Sequence, residues 1–166
     1  MIMGKKDQII LKNRYQVVPR TLIFLFHKNE VLLLHGSKDK KIWAGLYNGV
    51  GGHIERGESV ISAAYRELRE ETGIKDTPLF LKAIIAIDVD PDVGINLFVF
   101  TGQVDNKNVT ASNEGDLVWA KLEEIDQYPL VEDLYTLIPK ITAKNAGILI
   151  GNYYYQNDKL KMDFEN

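Results

Sequence analysis

Apolar and β-branched residues fall into short runs along the chain, and polar or turn-forming residues separate them. Residues 20–27 and 31–35 lie on either side of a short polar break, a pattern that predicts a β-hairpin. Residues 79–88 and 95–104 flank a segment that contains both proline and glycine, so a second pair of strands is expected there. A further short strand is expected near residues 117–121. The pattern therefore predicts a sheet of several strands.

Two other segments carry apolar residues at the spacing of a helix. The first helix is predicted at residues 59–72, with Ser59 as its N-cap and Gly73 as its left-handed C-terminal residue. The second is predicted where apolar residues recur from Val131 to Ile141, and Pro139 is expected to kink or interrupt it. The buried side of the first helix is expected to consist of Ile61, Ala64, Tyr65 and Leu68.

The connections and the end of the chain also have distinct patterns. Residues 36–57 contain six glycines and are expected to form a long loop before the first helix. Residues 148–164 alternate around Asn157 and Asp158, which predicts a terminal hairpin. One face of its last strand is expected to carry Leu160, Met162 and Phe164.

Length and composition narrow the class of protein. The 166 residues suit one domain, so residues 1–166 are expected to form a single domain, with residues 1–19 as an N-terminal extension of unknown role. With a net charge of −3, the chain lacks the positive field that usually attracts nucleic-acid polymers or anionic membranes. A small-molecule partner is expected instead. The absence of cysteine excludes thiolate chemistry and is typical of a reducing compartment. We expect a cytoplasmic protein that is either a monomer or a homodimer.

Three carboxylates crowd one part of the first predicted helix. Glu67, Glu70 and Glu71 fall within about 100° of arc, and like charges at this spacing oppose one another by a few tenths of a kcal/mol per pair. Carboxylates beside a glycine-rich loop suit Mg²⁺, which binds through a few such groups together with substrate phosphates. Arg66 is expected to offset the repulsion and to orient the ligands. The alternative is a solvated, charged helix face.

The spacing of these residues decides between the two interpretations. The chain has Gly52, then Glu58 after five residues, and then RELREETGI from Arg66 to Ile74 after seven more. This arrangement resembles the Nudix box, G-x5-E-x7-R-E-U-x-E-E-x-G-U with U a bulky aliphatic residue, at all nine defined positions. The resemblance implies a Nudix fold, which is an α/β fold with a mixed sheet between helices. It also implies hydrolysis of a diphosphate linked to another moiety.

The resemblance assigns roles to individual residues. The metal, Mg²⁺ or Mn²⁺ in its place, would be held by the carbonyl oxygen of Gly52 and by Glu67, Glu70 and Glu71. Residues 113–119 resemble the segment that supplies an additional metal-site glutamate, here Glu114. Glu58 would support the loop, and the catalytic set would comprise Glu58, Arg66, Glu67, Glu70 and Glu71. Water is the expected nucleophile, because motifs for other nucleophiles are absent. Glu70, Glu71 and Glu114 are all candidates for the general base.

The rest of the substrate must be recognised outside the box. Residues 43–52, WAGLYNGVGG, resemble the loop of MutT-like members that hydrolyse oxidised purine nucleoside triphosphates, in which an asparagine reads the purine. Asn48 matches that asparagine, although Asn-Gly is also a common turn pair. Residues 128–133 resemble an aromatic and acidic segment of the base pocket, which makes Glu132 and Asp133 candidates to contact the base. A solvated helix start explains these two residues equally well. Gly51 is a further candidate for substrate binding, and His53 in the loop is a candidate either to touch the phosphates or to be structural.

The preferred interpretation is Mg²⁺-dependent hydrolysis of a nucleoside triphosphate, such as 8-oxo-dGTP, to the monophosphate and pyrophosphate. Pro91 lies where some Nudix members that act on ADP-ribose have a proline, although Gly94 and the neighbouring aspartates explain it as a turn residue. ADP-ribose, another dinucleotide or a nucleotide sugar is therefore an alternative substrate. A non-catalytic nucleotide-binding module is the remaining alternative. His27 and His35 are expected to be structural.

Overall fold

The computed structural model describes residues 4, 11, 13–37, 43–110, 113–144 and 147–165. The strands in these ranges are β1 Gln16–His27, β2 Glu30–Gly36, β3 Tyr47–Asn48, β4 Leu79–Ile87, β5 Val93–Gln103, β6 Gly115–Lys121, β7 Leu149–Gln156 and β8 Lys159–Glu165. The helices are α1 Val60–Thr72, a 3-10 helix Leu122–Gln127, and α2 Leu134–Thr142.

The expected strand pairs and the terminal hairpin are confirmed. β1 and β2 are antiparallel, as are β4 and β5. β7 and β8 pair around Asn157 and Asp158, whose φ angles of 53° and 58° fit a two-residue hairpin turn with both central residues left-handed. β1 begins at Gln16, so residues 16–19 of the expected N-terminal extension belong to the sheet. Most of residues 1–15 lie outside the described ranges.

In the described part of the chain the strands form one mixed sheet. Its order is β3-β2-β1-β5-β4-β7-β8, and β6 pairs with β2. β1 is parallel to β5 and β4 is parallel to β7, while the other pairs are antiparallel. Glu30 and Val31 pair with both β1 and β6, so these two strands occupy opposite edges of β2. The strand expected near residues 117–121 is β6.

Alternation along β1 places one helix on each face of the sheet. Leu22 and Phe24 belong to a hydrophobic cluster with Leu134 of α2, whereas Ile23 belongs to a second cluster with Leu68 of α1. Successive side chains of a strand point to opposite faces, so the helices lie on opposite sides. We call these sides the α1 face and the α2 face. The expected α/β architecture with a sheet between helices is confirmed.

The buried side of α1 differs from the prediction. Ile61 and Tyr65 are 39% and 37% exposed. The buried residues are Ala63, Ala64, Leu68, Glu71 and Thr72. The prediction followed hydrophobicity alone, whereas small side chains let a helix lie close to a sheet and hydrogen bonds allow polar groups to be buried. One of the three carboxylates, Glu71, is therefore part of the buried side of α1.

Two expectations about irregular backbone also need correction. α2 continues through Pro139, because four buried apolar side chains hold the helix against the sheet although proline removes one helical hydrogen bond. The glycine-rich segment at residues 36–57 is not entirely a loop. It contains β3 and isolated bridges at Val50 and His53, while residues 38–42 lie outside the described ranges.

Candidate active site

Both ends of α1 are capped as the sequence predicts. The Oγ of Ser59 accepts a hydrogen bond from the N–H of Ser62 at 3.2 Å. Gly73 has a φ of 76° and donates its N–H to the carbonyl of Arg69 at 2.9 Å. These caps define the ends of the helix and so the positions from which its charged residues project.

Arg66 connects α1 to the preceding loop. Its Nε and Nη2 donate to the two carboxylate oxygens of Glu58 at 2.6 and 2.9 Å. Its Nη1 donates to Glu67 at 2.7 Å and to Glu70 at 3.2 Å. Nη2 also donates to the carbonyl of His53 at 2.9 Å. One guanidinium therefore compensates three carboxylates and orients them.

These contacts keep the pair charged. The hydrogen bond from Arg66 lowers the pKa of Glu58 to about 2, and the N–H of Glu55, which donates to Glu58 at 3.0 Å, acts in the same direction. The hydrogen bonds to Glu58 and then Glu67 raise the pKa of Arg66 above its ordinary value. Neither group changes its charge near neutral pH.

Glu67 lies against the backbone of Gly52. A Cβ at position 52 would be 2.5 Å from the Oε1 of Glu67, so a side chain there would displace this carboxylate. The carbonyl of Gly52 accepts a hydrogen bond from the N–H of Thr21 at 2.8 Å. Since a carbonyl oxygen has two lone pairs, this bond leaves one lone pair that can coordinate a cation.

Glu71 and Gly51 form the buried part of the site. Glu71 is 5% exposed, and its Oε2 accepts the N–H of Gly51 at 2.7 Å. Gly51 has a φ of 147°, and a side chain there would collide with the carbonyl of Thr21, so glycine is required. The carboxylates thus differ in exposure, since the side chains of Glu67 and Glu70 are 14% and 55% exposed.

The donor set fits a hard divalent cation. Within the described ranges no three carboxylate or imidazole groups converge closely enough to hold a metal ion, and Arg66 is the present partner of Glu67 and Glu70. Carboxylate and carbonyl oxygens are nevertheless the ligands that Mg²⁺ prefers, and Glu67 lies directly against Gly52. Metal binding would therefore compete with Arg66 for these carboxylates. Glu114 lies exposed in the turn before β6.

Two distant segments expected to bind the base are neighbours in the structure. Tyr47 pairs with residues 129–131 through two backbone hydrogen bonds of 2.9 and 3.0 Å. Asn48 follows Tyr47 in β3, and Glu132 and Asp133 follow the other segment directly. The structure therefore brings Asn48 near the start of α2.

The polar groups in this region have different environments. The Oδ1 of Asn48 accepts the N–H of Gly49 at 2.8 Å, which is the turn role that the sequence left open, while an amide keeps two N–H donors for other partners. Asp133 is partly buried, and burial, followed by the charge of Glu132, raises its pKa to about 6. Glu132 is exposed. Burial, and then the charge of Asp133, also raises the pKa of Tyr153.

The remaining candidates have local structural explanations or lie at the surface. Pro91 is exposed in the turn that the Asp90 N–H closes onto Val93, so this turn accounts for it without a ligand. His27 and His35 contact the carbonyls of Val104 and Gly45 through their ring nitrogens. His53 is exposed, and its carbonyl rather than its ring is what Arg66 contacts.

Two residues of β1 that the sequence analysis did not single out also reach this region. Thr21 hydrogen-bonds Gly52, and Arg20 pairs with His53 in an isolated antiparallel bridge. Both lie in a run whose pattern indicates only a strand. Their proximity depends on pairing with a segment some thirty residues away, for which the local sequence carries no signal.

Comparisons with known proteins agree with this geometry. The sequence profile of the NUDIX domain matches residues 17–141. The oxidized purine nucleoside triphosphate hydrolase of Mus musculus is 27% identical over 139 residues, which cover 82% of this chain and 86% of the mouse protein. The uncharacterized Nudix hydrolase YvcI of Bacillus subtilis is 32% identical over 132 residues, covering 76% and 80%. A crystal structure of a MutT protein from Bacillus halodurans has a TM-score of 0.72 at 25% identity, covering 89% and 98%.

The chain belongs to the Nudix family, and it is a hydrolase of phosphoanhydride bonds. The resemblance noted in the sequence is confirmed, because the matched range contains the whole box from Gly52 to Ile74. Among the described helices, none has the length and apolar character needed to cross a membrane.

Proposed function

We propose that this enzyme hydrolyses nucleoside triphosphates to the monophosphate and pyrophosphate, with oxidised purine nucleotides such as 8-oxo-dGTP as preferred substrates. The carboxylates that Arg66 and Gly51 hold beside Gly52 are the observation that carries the proposal. Two observations support an oxidised purine as the preferred base. The chain is similar to the oxidized purine nucleoside triphosphate hydrolase of the mouse, and Asn48 lies near the start of α2.

The proposed cofactor is Mg²⁺, for which Mn²⁺ can substitute. When bound, the ion neutralises phosphate oxygens and makes water a better nucleophile. The groups proposed to hold it are the carbonyl of Gly52 and the carboxylates of Glu67, Glu70 and Glu71, with Glu114 as a further ligand.

In the proposed reaction a water oxygen forms a bond to one phosphorus of the α–β linkage, and the bond from that phosphorus to the bridging oxygen breaks. The side chain of Glu70 is 55% exposed and contacts Arg66 only at 3.2 Å, so it is the proposed acceptor of the water proton. Glu71 is buried and hydrogen-bonded to Gly51, so we assign it the role of holding the metal and not that of accepting the water proton. Gly51 and His53, which precede and follow Gly52, are proposed to lie along the phosphates.

The terminal hairpin is proposed to be part of the same domain as the matched range. β7 pairs with β4 from Ala83 to Ile87, so the sheet continues beyond residue 141. Residues 1–166 are accordingly proposed to form one domain. The proposed compartment is the cytoplasm, which the cysteine-free sequence favours.

A substrate screen tests the proposal. Purified protein with Mg²⁺ is incubated with nucleoside triphosphates, 8-oxo-dGTP, ADP-ribose and diadenosine polyphosphates, and the phosphate-containing products are separated. The expected result is pyrophosphate release that is fastest from 8-oxo-dGTP. Glu70→Gln should lower turnover by orders of magnitude, and Glu123→Gln, at an exposed position of the 3-10 helix, should not. Products from ADP-ribose alone, or binding without products, would contradict the proposal.

A further inference from the structure

Arg20 is a cation that has no counter-ion among the described residues. It lies in β1 and is partly buried, and its Nε is buried without a hydrogen-bond partner among the described residues. Arg20 forms no ion pair with any residue that the structure describes, whereas Arg66 contacts three carboxylates. Leaving a buried guanidinium N–H unpaired is unfavourable, so this position requires an explanation.

The sheet fixes the position of Arg20 relative to the active site. Thr21 is hydrogen-bonded to Gly52, and Arg20 and His53 are the next opposed pair in the same antiparallel register. Directly opposed residues of an antiparallel pair have their side chains side by side on one face. Arg20 and His53 are therefore neighbours, one residue away from the carbonyl that is proposed to bind metal.

Arg20 lies on the face of the sheet opposite to the carboxylates. A side chain at Gly52 would point toward Glu67 of α1. Successive residues of extended backbone point to opposite faces, so the side chain of His53 points to the other face. Arg20 has the same orientation as Leu22, which packs in the cluster of α2. The start of α2 is where the candidate base-binding residues lie. Arg20 is thus placed on the α2 face of the sheet, beside His53 of the segment that is proposed to lie along the phosphates.

We infer that Arg20 binds the α-phosphate of the nucleotide, which is the phosphate that links the pyrophosphate to the nucleoside. The inference rests on the proposed function. Guanidinium N–H groups form a planar fork that matches two phosphate oxygens and remains charged at all relevant pH values. The ring of His53, exposed beside Arg20, is a second group that reaches the same anion. Arg20 acts by positioning the substrate and takes no part in proton transfer.

Calorimetry with two ligands isolates the contact between Arg20 and the α-phosphate. Binding is measured in EDTA so that metal coordination does not contribute. The ligands are 8-oxo-dGMP and its nucleoside, 8-oxo-deoxyguanosine, which differ only in the phosphate. Arg20→Met should weaken 8-oxo-dGMP binding about tenfold or more and leave nucleoside binding unchanged. Arg20→Lys, which keeps the charge without the fork, should weaken 8-oxo-dGMP binding less. Arg14→Met, which removes an exposed cation just before β1, should have no effect.

Stability and kinetics separate binding from a structural role. Methionine leaves no buried N–H unpaired, so the thermal unfolding midpoint of Arg20→Met should equal or exceed that of the wild type. Its KM for 8-oxo-dGTP should rise about tenfold with kcat within a few-fold of the wild type. A lower midpoint with equal weakening of both ligands would overturn the inference. Unchanged 8-oxo-dGMP affinity, or wild-type protein that binds the two ligands equally, would also overturn it. The proposed function fails separately, if the wild type releases no pyrophosphate from any nucleoside triphosphate.

Discussion

Glu58 and Arg66 are joined at two points, with 2.6 Å between Oε1 and Nε and 2.9 Å between Oε2 and Nη2. This pairing ties the loop before α1 to the helix that carries the carboxylates. The same guanidinium contacts Glu67, so the position of a proposed metal ligand depends on a residue that does not itself touch the metal. Residues of this kind typically affect metal affinity or activity by about 10- to 100-fold.

Glu58→Gln should therefore lower kcat/KM for 8-oxo-dGTP by about 10- to 100-fold, because the amide loses the charge and one of the two acceptor oxygens. Steady-state kinetics with Mg²⁺ would measure the effect. Glu123→Gln is the matched control at an exposed position of the 3-10 helix. Equal kinetics in the two variants would show that the pairing does not position the carboxylates.

Gly52→Ala should displace the carboxylate of Glu67, since the added Cβ would be 2.5 Å from its Oε1. We expect about 10-fold or weaker Mn²⁺ binding and a similar or greater loss of turnover. Gly147→Ala is the control, because a Cβ there meets no atom within 4 Å. Wild-type metal affinity in Gly52→Ala would contradict the close contact between these residues.

Asn48→Ala should raise KM for 8-oxo-dGTP more than KM for dCTP, because the amide is proposed to pair with the oxidised purine. Steady-state kinetics with the two substrates would measure both changes. Asn152→Ala, an exposed position in β7, should leave both constants unchanged. Equal increases for the two substrates would indicate that Asn48 serves the turn through its bond to Gly49 and does not read the base.

Asp133 should make stability depend on pH. Burial raises its pKa to about 6 from an ordinary value of 3.8, so the folded state favours the protonated form. This contribution to stability is complete below about pH 4 and is lost as pH rises through 6. Asp133→Asn should therefore become more stable than the wild type as pH rises from 4 to 7, by up to about 3 kcal/mol.

Urea unfolding at a series of pH values would measure this difference, with the exposed Asp126→Asn as the control. A constant difference in the free energy of unfolding between Asp133→Asn and the wild type would show that Asp133 ionises equally easily in the folded and unfolded states.

The sequence predicted the elements whose signals are local. The caps Ser59 and Gly73 bound α1 within one residue, and Asn157 and Asp158 located the final turn. The apolar runs that flank the segment with Pro91 and Gly94 were sufficient to locate the strands on either side of it. In each case the residues that determine the structure are neighbours in the chain.

The features that the sequence missed depend on contacts between distant residues. Glu71 is buried because it accepts the N–H of Gly51, so hydrophobicity could not identify that face of α1. β3 exists because Tyr47 pairs with β2 and with residues 129–131, which are far away in sequence. The Nε of Arg20 has no hydrogen-bond partner in the part of the chain that the structure describes, and this is visible only once its surroundings are known.

The central claim is that Glu67, Glu70 and Glu71 bind a divalent cation that the reaction requires. Calorimetric titration of Mg²⁺ into the protein, in the presence of a nonhydrolysable 8-oxo-dGTP analogue, tests it most directly. We expect saturable uptake by the wild type and at least about tenfold weaker uptake by Glu70→Gln. No uptake by the wild type, or equal uptake by both proteins, would contradict the claim.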